Sequence, residues 1–388
     1  MFHLPRAVIV LGLVSFLNDA ASEMITPLLP LFLTVTLGTG PAVVGLVEGV
    51  AEATSSLLKL VSGRLADRGW RRKPLVLGGY SLSNIARPLI GLVLSWNWVL
   101  VVRFLDRVGK GVRTSPRDAL IAASTSAHWR GRSFGYHRTM DNAGAMLGPL
   151  LAFVLLSAGL SIQQVFLWSV VPGGLVILLL IVGLKEAPAS STPEKPASPL
   201  SWRLLDRRLQ GLIVVTGGLS LAAVPEVFLV LWATDRGLQI AWVPLIWAAA
   251  SAVKALVAGP AGVLSDRYGR LPVLVTGWGL RMGILVALPL THTSVTAVWS
   301  WFLVYAGSLA FTEAAERALI GDSAACEHRA TAYGLYHMVV GLAALPGAVL
   351  FGVLWQWMGE TAAFFTAAGF SLLSLLVLWR FNPPRQGM

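Results

Sequence analysis

The chain is 388 residues long, 55% hydrophobic and only 13% charged, with a formal net charge of +11. Apolar runs of this length exclude a soluble globular domain, and their lack of polar alternation excludes a membrane β-barrel. Its one cysteine, Cys326, excludes an intramolecular disulfide, and its scattered histidines and that cysteine give no support for a metal site.

Twelve membrane spans are expected, at residues 7–33, 41–61, 75–94, 98–122, 133–156, 164–184, 209–232, 242–261, 273–290, 295–320, 331–355 and 361–379. Span 1 is longer than the apolar core of a signal peptide and has no A-x-A cleavage site, so it reads as a retained helix. It carries Asp19 and Glu23 one helical turn apart, with Asp19 about 18 Å from the inner end by helical rise. Span 2 places Glu48, Glu52 and Lys59 on one face, and the stretch "GRLADRGWRRKPL" follows it from Gly63.

Span 4 contains "RFLDRVGKGVRTSPRD", from Arg103 to Asp118. At about 100° per residue, Arg103, Asp106, Arg107, Lys110, Arg113, Arg117 and Asp118 fall within an arc of about 140°. Leu105, Val108, Val112 and Ala119 take the opposite face. The stretch is therefore one helix with a charged stripe rather than a loop. Lipid cannot cover that stripe, because each unpaired charge would cost at least about 2.5 kcal/mol. It must face partner helices or a water-filled cavity.

Span 5 places Asp141 about 12 Å from its inner end, beside Tyr136, His137 and Arg138, and continues as "NAGAMLGPL" from Asn142 to Leu150. Gly144 and Gly148 lie one turn apart, which lets helices approach closely, and Pro149 frees a backbone carbonyl. A Pro- and Ser-rich break at 185–208 separates six spans from six, giving bundles at 1–184 and 209–388 joined by a cytoplasmic linker. In the second half Glu226 follows Pro225 in span 7, and Glu313, Glu316 and Arg317 lie in the inner half of span 10. His137 and His337, near the inner ends of spans 5 and 11, read as packing residues rather than relays.

Charge placement removes the nucleic-acid reading that a basic chain invites. Lys and Arg outside the spans gather at the termini and in the even-numbered connections, and Arg236 alone sits in an odd-numbered one. Both termini are therefore expected in the cytoplasm, at the inner membrane of the cell. No phosphate-binding loop and no nucleophile elbow is found, so neither ATP-driven transport nor an intramembrane enzyme is expected.

The two halves repeat. "GRLADRGWRRKPL" at Gly63 matches "GVLSDRYGRLPVL" at Gly262, "RDALIA" at Arg117 matches "ERALIG" at Glu316, and "SFGYH" at Ser133 matches "AYGLYH" at Ala332, all at one offset, 262 − 63 = 199. Parallel repeats of this kind build a binding site at mid-membrane in secondary transporters.

With these motifs the chain resembles the major facilitator superfamily over nearly its whole length, closest to the 12-helix drug:proton antiporter type. The resemblance implies an all-α membrane fold of two pseudo-symmetric six-helix bundles. It implies that the loop motif is a conformational latch, carried here by Gly63, Asp67, Arg68 and Arg71, and in the second copy by Gly262, Asp266, Arg267 and Arg270. "RFLDRVGKG" is similar to the fourth-helix motif, in which Arg103 would be tied to proton transfer; Asp106, Arg107 and Lys110 depart from that pattern. Gly144, Gly148 and Pro149 resemble the fifth-helix packing motif of exporters.

The resulting expectation is a proton-coupled exporter of a small molecule, working by alternating access as a monomer in the lipid bilayer, without cofactor, metal or nucleic acid. Proton-coupling candidates are Asp19, Glu23, Arg103, Asp106 and Asp141. Cavity candidates are Arg103, Arg107, Lys110, Glu226 and Glu313. Arg117 and its repeat counterpart Glu316 are expected to gate the inner end. The cationic stripe keeps a second reading open, an importer or exchanger of an organic or phosphorylated anion. A membrane sensor or assembly protein that transports nothing is a third, for which latch motifs in both halves would be idle.

Overall fold

A computed structural model describes residues 4–67, 71–126, 129–184, 202, 205, 207–291, 294–323 and 329–381, and among them there are helices but no strand. In a bilayer core no water pairs with an exposed N–H or C=O, so a helix, which bonds its own backbone, is the available form. In chain order the helices are α1 (Arg6–Glu23), α2 (Pro41–Asp67), α3 (Arg72–Leu89), α4 (Trp96–Ala123), α5 (Arg130–Ser157), α6 (Ile162–Trp168) and α7 (Val170–Gly183). There follow α8 (Arg207–Ala222), α9 (Glu226–Asp235), α10 (Val243–Tyr268), α11 (Arg270–Ala287), α12 (Val295–Ser323), α13 (Arg329–Met358) and α14 (Glu360–Phe381). The expected linker at 185–208 falls almost wholly outside the described residues.

Several expected spans are interrupted, each for a local reason. Span 1 ends as a regular helix at Glu23 and resumes as a short helix at Leu29–Leu31, continued by a π-helical turn over Phe32–Thr36. Span 6 divides into α6 and α7 at Ser169, whose Oγ donates to the carbonyl of Phe166 (2.6 Å). Span 7 divides into α8 and α9 ahead of Pro225, which caps α9. The turn into α11 needs Gly269, whose φ of +93° is costly for any residue with a Cβ.

Among the described residues nine helical stretches are long and apolar enough to cross a membrane. The expected spans missing from that set are 1, 3 and 4, which correspond to α1, α3 and α4. Their sequences are too charged to pass a test of composition. Yet α4 is built inside out: Arg103, Asp106, Arg107 and Arg113 are buried, whereas Val101, Phe104 and Leu105 are exposed. Its charges meet protein and its apolar face is left for lipid.

The chain forms two compact units. The first holds Met1–Thr39, Thr54–Ala197 and Ile240–Ala248, and the second Gly40–Ala53, Ser198–Gln239 and Ala249–Met388. Val8, Leu11, Val14, Val76, Tyr80, Val176 and Leu180 form one apolar core in the first. In the second, Leu212, Ile213, Leu274, Trp278, Ile320 and Leu335 belong to another.

Arg236, the lone cation of the odd-numbered connections, has a structural use in the second unit. Its guanidinium donates to both oxygens of Glu360 (2.9 and 2.7 Å) and lies 4.8 Å over the ring of Trp232. This ties the end of α9 to the first residue of α14. Replacement of Glu360 by Ala is expected to cost about 1.5–3 kcal/mol, the range for a hydrogen bond to a charged group, read as a lowered unfolding midpoint in detergent.

Candidate functional site

In the first unit α3 and α4 meet backbone to backbone. A Cβ on Gly79 would lie 2.7 Å from the carbonyl of Gly109, and one on Gly109 would overlap the carbonyl of Gly79 and the side chain of Ser83. This contact carries the charged stripe of α4 onto α3. There Arg87 Nε donates to Asp106 Oδ1 (2.9 Å), with the two side chains 2% and 0% exposed. Arg103 and Arg107 approach the other oxygen of Asp106 at 3.6 and 3.7 Å.

The network extends to α1. Arg87 Nη1 donates to Asn18 Oδ1 (2.9 Å), to the Asn18 carbonyl (3.1 Å) and to Asn84 Oδ1 (3.2 Å). Asn18 Nδ2 donates to Asp19 Oδ1 at 2.9 Å. Arg113 donates to Ser83 Oγ (2.7 Å) and lies 4.4 Å over the ring of Tyr80, while Ser83 Oγ donates to the carbonyl of Asp106 (2.8 Å). Three helices that lipid would reject singly thus satisfy one another.

A second close contact joins α5 to α1. A Cβ on Gly144 would overlap the carbonyl of Phe16, and one on Gly148 the carbonyl of Ala20; Pro149 is buried beside them. The approach sets Asp141 against α1, where its Oδ1 accepts from Ser15 Oγ, and His137 Nδ1 lies 3.5 Å from its Oδ2. Asp19 stands one turn beyond Ser15 on α1, and the charges of Asp141, Lys110 and Arg113 reach it. Glu23 Oε2 accepts from Trp247 Nε1 (2.9 Å). Leucine at Gly144 would have to push α1 away. It is expected to cost at least the 1–3 kcal/mol, roughly, of an overpacked core and to lower the yield of folded protein in gel filtration, whereas Ala at the exposed Gly131 should leave that yield unchanged.

The remaining candidates fall as follows. Arg117 pairs with its neighbour Asp118 (2.8 Å). Gly63 packs on Ser115, whose Oγ donates to the carbonyl of Lys59 (2.8 Å). Arg68 and the side chain of Asp67 lie outside the described residues, and Arg71 is exposed ahead of α3. In the second unit Arg270 pairs with Asp266 and donates to Asp322 (3.2 Å) and Ser265 (3.1 Å), which ties α10, α11 and α12 together. Arg267 lies 5.4 Å over Tyr268, and Gly262 has open space where a side chain would go. Glu226 accepts from Lys254 (2.9 and 3.0 Å), Glu316 accepts from Trp278 Nε1 (2.9 Å) and Tyr336 (3.2 Å), and Glu313 is exposed.

Sequence reasoning misses Arg87, Asn18, Asn84 and Lys254. For Arg87 a signal exists, since a lone arginine in an apolar span is itself a functional-site flag. A related arrangement recurs in the second unit, with its members exchanged. Arg281 of α11 donates to Thr312 of α12 (2.8 Å), whereas in the first unit the arginine, Arg113, sits on the later helix and the hydroxyl, Ser83, on the earlier.

Comparison with known proteins agrees with this fold. The sequence profile of the Major Facilitator Superfamily matches residues 11–308 and 227–387. An MFS-type transporter of Methanocaldococcus jannaschii is 32% identical over 384 residues, covering 97% of this chain and 95% of its own. The multidrug resistance protein MdtG of Escherichia fergusonii is 27% identical over 336 residues, covering 82% of this chain and 80% of its own. Among solved structures, a bacterial homologue of the human lysosomal transporter Spinster superposes with a TM-score of 0.79 at 17% identity, over 96% of each chain.

Proposed function

This chain belongs to the major facilitator superfamily of secondary transporters, and on that premise we propose that it exports a small molecule in exchange for protons by alternating access. Two six-helix halves, 1–184 and 209–388, joined by 185–208, are the moving bodies of this cycle, in an inner membrane with both termini cytoplasmic. The observation that carries the coupling is the pair of carboxylates Asp19 and Asp141 on the packed helices α1 and α5, within reach of Lys110, Arg113 and Arg117 of α4. A buried carboxylate between apolar surroundings and cations can exchange its proton as those surroundings change. Glu23, one helical turn beyond Asp19, and Arg103 of α4 are assigned to the same coupling. Asp106, fastened to Arg87, serves to hold the helices. Export rather than import is supported by the likeness to MdtG, named a multidrug resistance protein. Gly63, Asp67, Arg68, Arg71 and Arg117, with Gly262, Asp266, Arg267, Arg270 and Glu316, are assigned to gating.

A second reading is favoured by one specific feature. Arg87, Arg103, Arg107 and Arg113 are all buried around a single fully buried carboxylate, Asp106. Guanidinium groups suit carboxylates and phosphates, so the cargo of this reading is an organic or phosphorylated anion taken up or exchanged through Arg103, Arg107 and Lys110 of the first unit, with Glu226 and Glu313 the cargo-binding candidates of the second. Thermal unfolding of purified protein with hydrophobic cations, neutral drugs and organic or phosphorylated anions separates the two. A ligand at 100 times its Kd adds about 2.7 kcal/mol. Export predicts stabilisation by a cation or neutral drug, stronger at high pH. Stabilisation by anions alone, lost in Arg103→Ala, would replace it with the second reading.

A further inference from the structure

The inner part of α5 carries a ladder that ends on Asp141, one of the coupling pair. Ser133, His137 and Asp141 follow one another at four-residue spacing, so they stack on one face at about 6 Å per step. Ser133 and His137 are buried. Thr125, just beyond the end of α4, donates to Ser133 Oγ (3.0 Å) and caps the ladder at the α4–α5 connection. At its other end Asp141 accepts from Ser15, one turn from Asp19. Polar groups in this register cross the depth between a helix end and the coupling carboxylates.

His137 is the member whose two ring nitrogens can take a proton on one side and give one on the other. Its Nδ1 faces Asp141 Oδ2 at 3.5 Å. Its Nε2 is buried and has no hydrogen-bond partner among the described residues. A packing histidine satisfies both nitrogens, because an unpaired buried polar atom costs about 1–3 kcal/mol. The charged groups around it are Arg138 and Asp141 on its own helix and Arg117 and Asp118 from α4, while Ser15 and Asp19 of α1 act on Asp141.

We propose that His137 is a proton relay between the α4–α5 end of the first unit and Asp141, an inference that rests on the proton coupling proposed above. The step balances simply. Nε2 takes a proton from the solvent side, the proton already on Nδ1 passes to Asp141 Oδ2, and the ring is left neutral with its proton on Nε2. The carboxylate becomes a carboxylic acid, and the tautomer resets before the next transfer. Release runs the same path backwards. His137 acts through Asp141 and touches no cargo, so it sets the rate of proton exchange rather than the affinity of the site.

The test is a pH jump on the full chain in lipid nanodiscs, followed by time-resolved infrared absorption of protonated carboxyl groups. Asp141 is identified as the band lost in Asp141→Asn. His137→Gln and His137→Ala are expected to slow the appearance of that band by about a hundredfold, within the range general for positioned acid–base groups. Its equilibrium amplitude should change little, and added imidazole should restore the rate in His137→Ala but not in His137→Gln, whose side chain fills the site. An unchanged rate in both variants overturns the relay and leaves the coupling pair standing. Absence of any carboxyl band assignable to Asp141 or Asp19 overturns the coupling reading itself, and the relay with it.

Discussion

Asparagine in place of Asp106 is expected to cost about 3–5 kcal/mol of stability, the penalty for removing one partner of a buried ion pair. The reason lies in what would be left behind. Arg87, Arg103 and Arg107 all face this carboxylate, and none of their side chains is more than 10% exposed. An amide returns a hydrogen bond but no charge, so three guanidinium groups would lose their counter-ion in a low-dielectric interior. Arg87→Met should cost less than Asp106→Asn, because Arg103 and Arg107 still face Asp106. The double variant Arg87→Met/Asp106→Leu should recover only part of the loss, since the same two arginines then have no carboxylate at that position. Unfolding by sodium dodecyl sulfate in mixed micelles, followed by tryptophan fluorescence, measures all three. An Asp106→Asn protein within about 1 kcal/mol of the parent would mean that the network does not hold α1, α3 and α4 together.

Neutralising the coupling pair should act on function instead. Asp19→Asn and Asp141→Asn are each expected to lower transport driven by a pH gradient about a hundredfold in proteoliposomes, with the hydrophobic cation that best stabilises the protein as cargo. Exchange of labelled for unlabelled cargo, with no pH gradient, should persist. That split separates loss of a proton carrier from loss of the fold. Asp141 is the more accessible to test, because its direct contacts, Ser15 and His137, can each bond an amide in its place. Equal loss of driven transport and exchange would make these acids structural.

The stripe of α4 is legible in the amino-acid sequence because seven charges on one arc cannot face lipid, and the fold turns that arc toward α3. Gly144 and Gly148 stand out by spacing and lie where α5 meets α1. Arg87 is harder to see because a single charge makes no pattern. Its meaning comes from Asn18, Asn84 and Asp106, which reach it from three helices and share no spacing with it. The count of spans diverges for a related reason. Hydropathy treats every charge as though it faced lipid, whereas α1, α3 and α4 turn theirs on one another. His137 reads as a packing residue until the position of each ring nitrogen is known.

Cargo binding that drives protons off Asp19 and Asp141 would show itself in a count of protons as cargo binds. Purified protein in weakly buffered detergent solution, with a pH-sensitive dye, would be titrated with the stabilising hydrophobic cation. Export by exchange predicts release of about one proton per cation bound near neutral pH, diminished in Asp19→Asn or Asp141→Asn. Binding with no release, or proton uptake on binding an anion, would contradict proton-coupled export and favour symport of an anion through the arginines of α4.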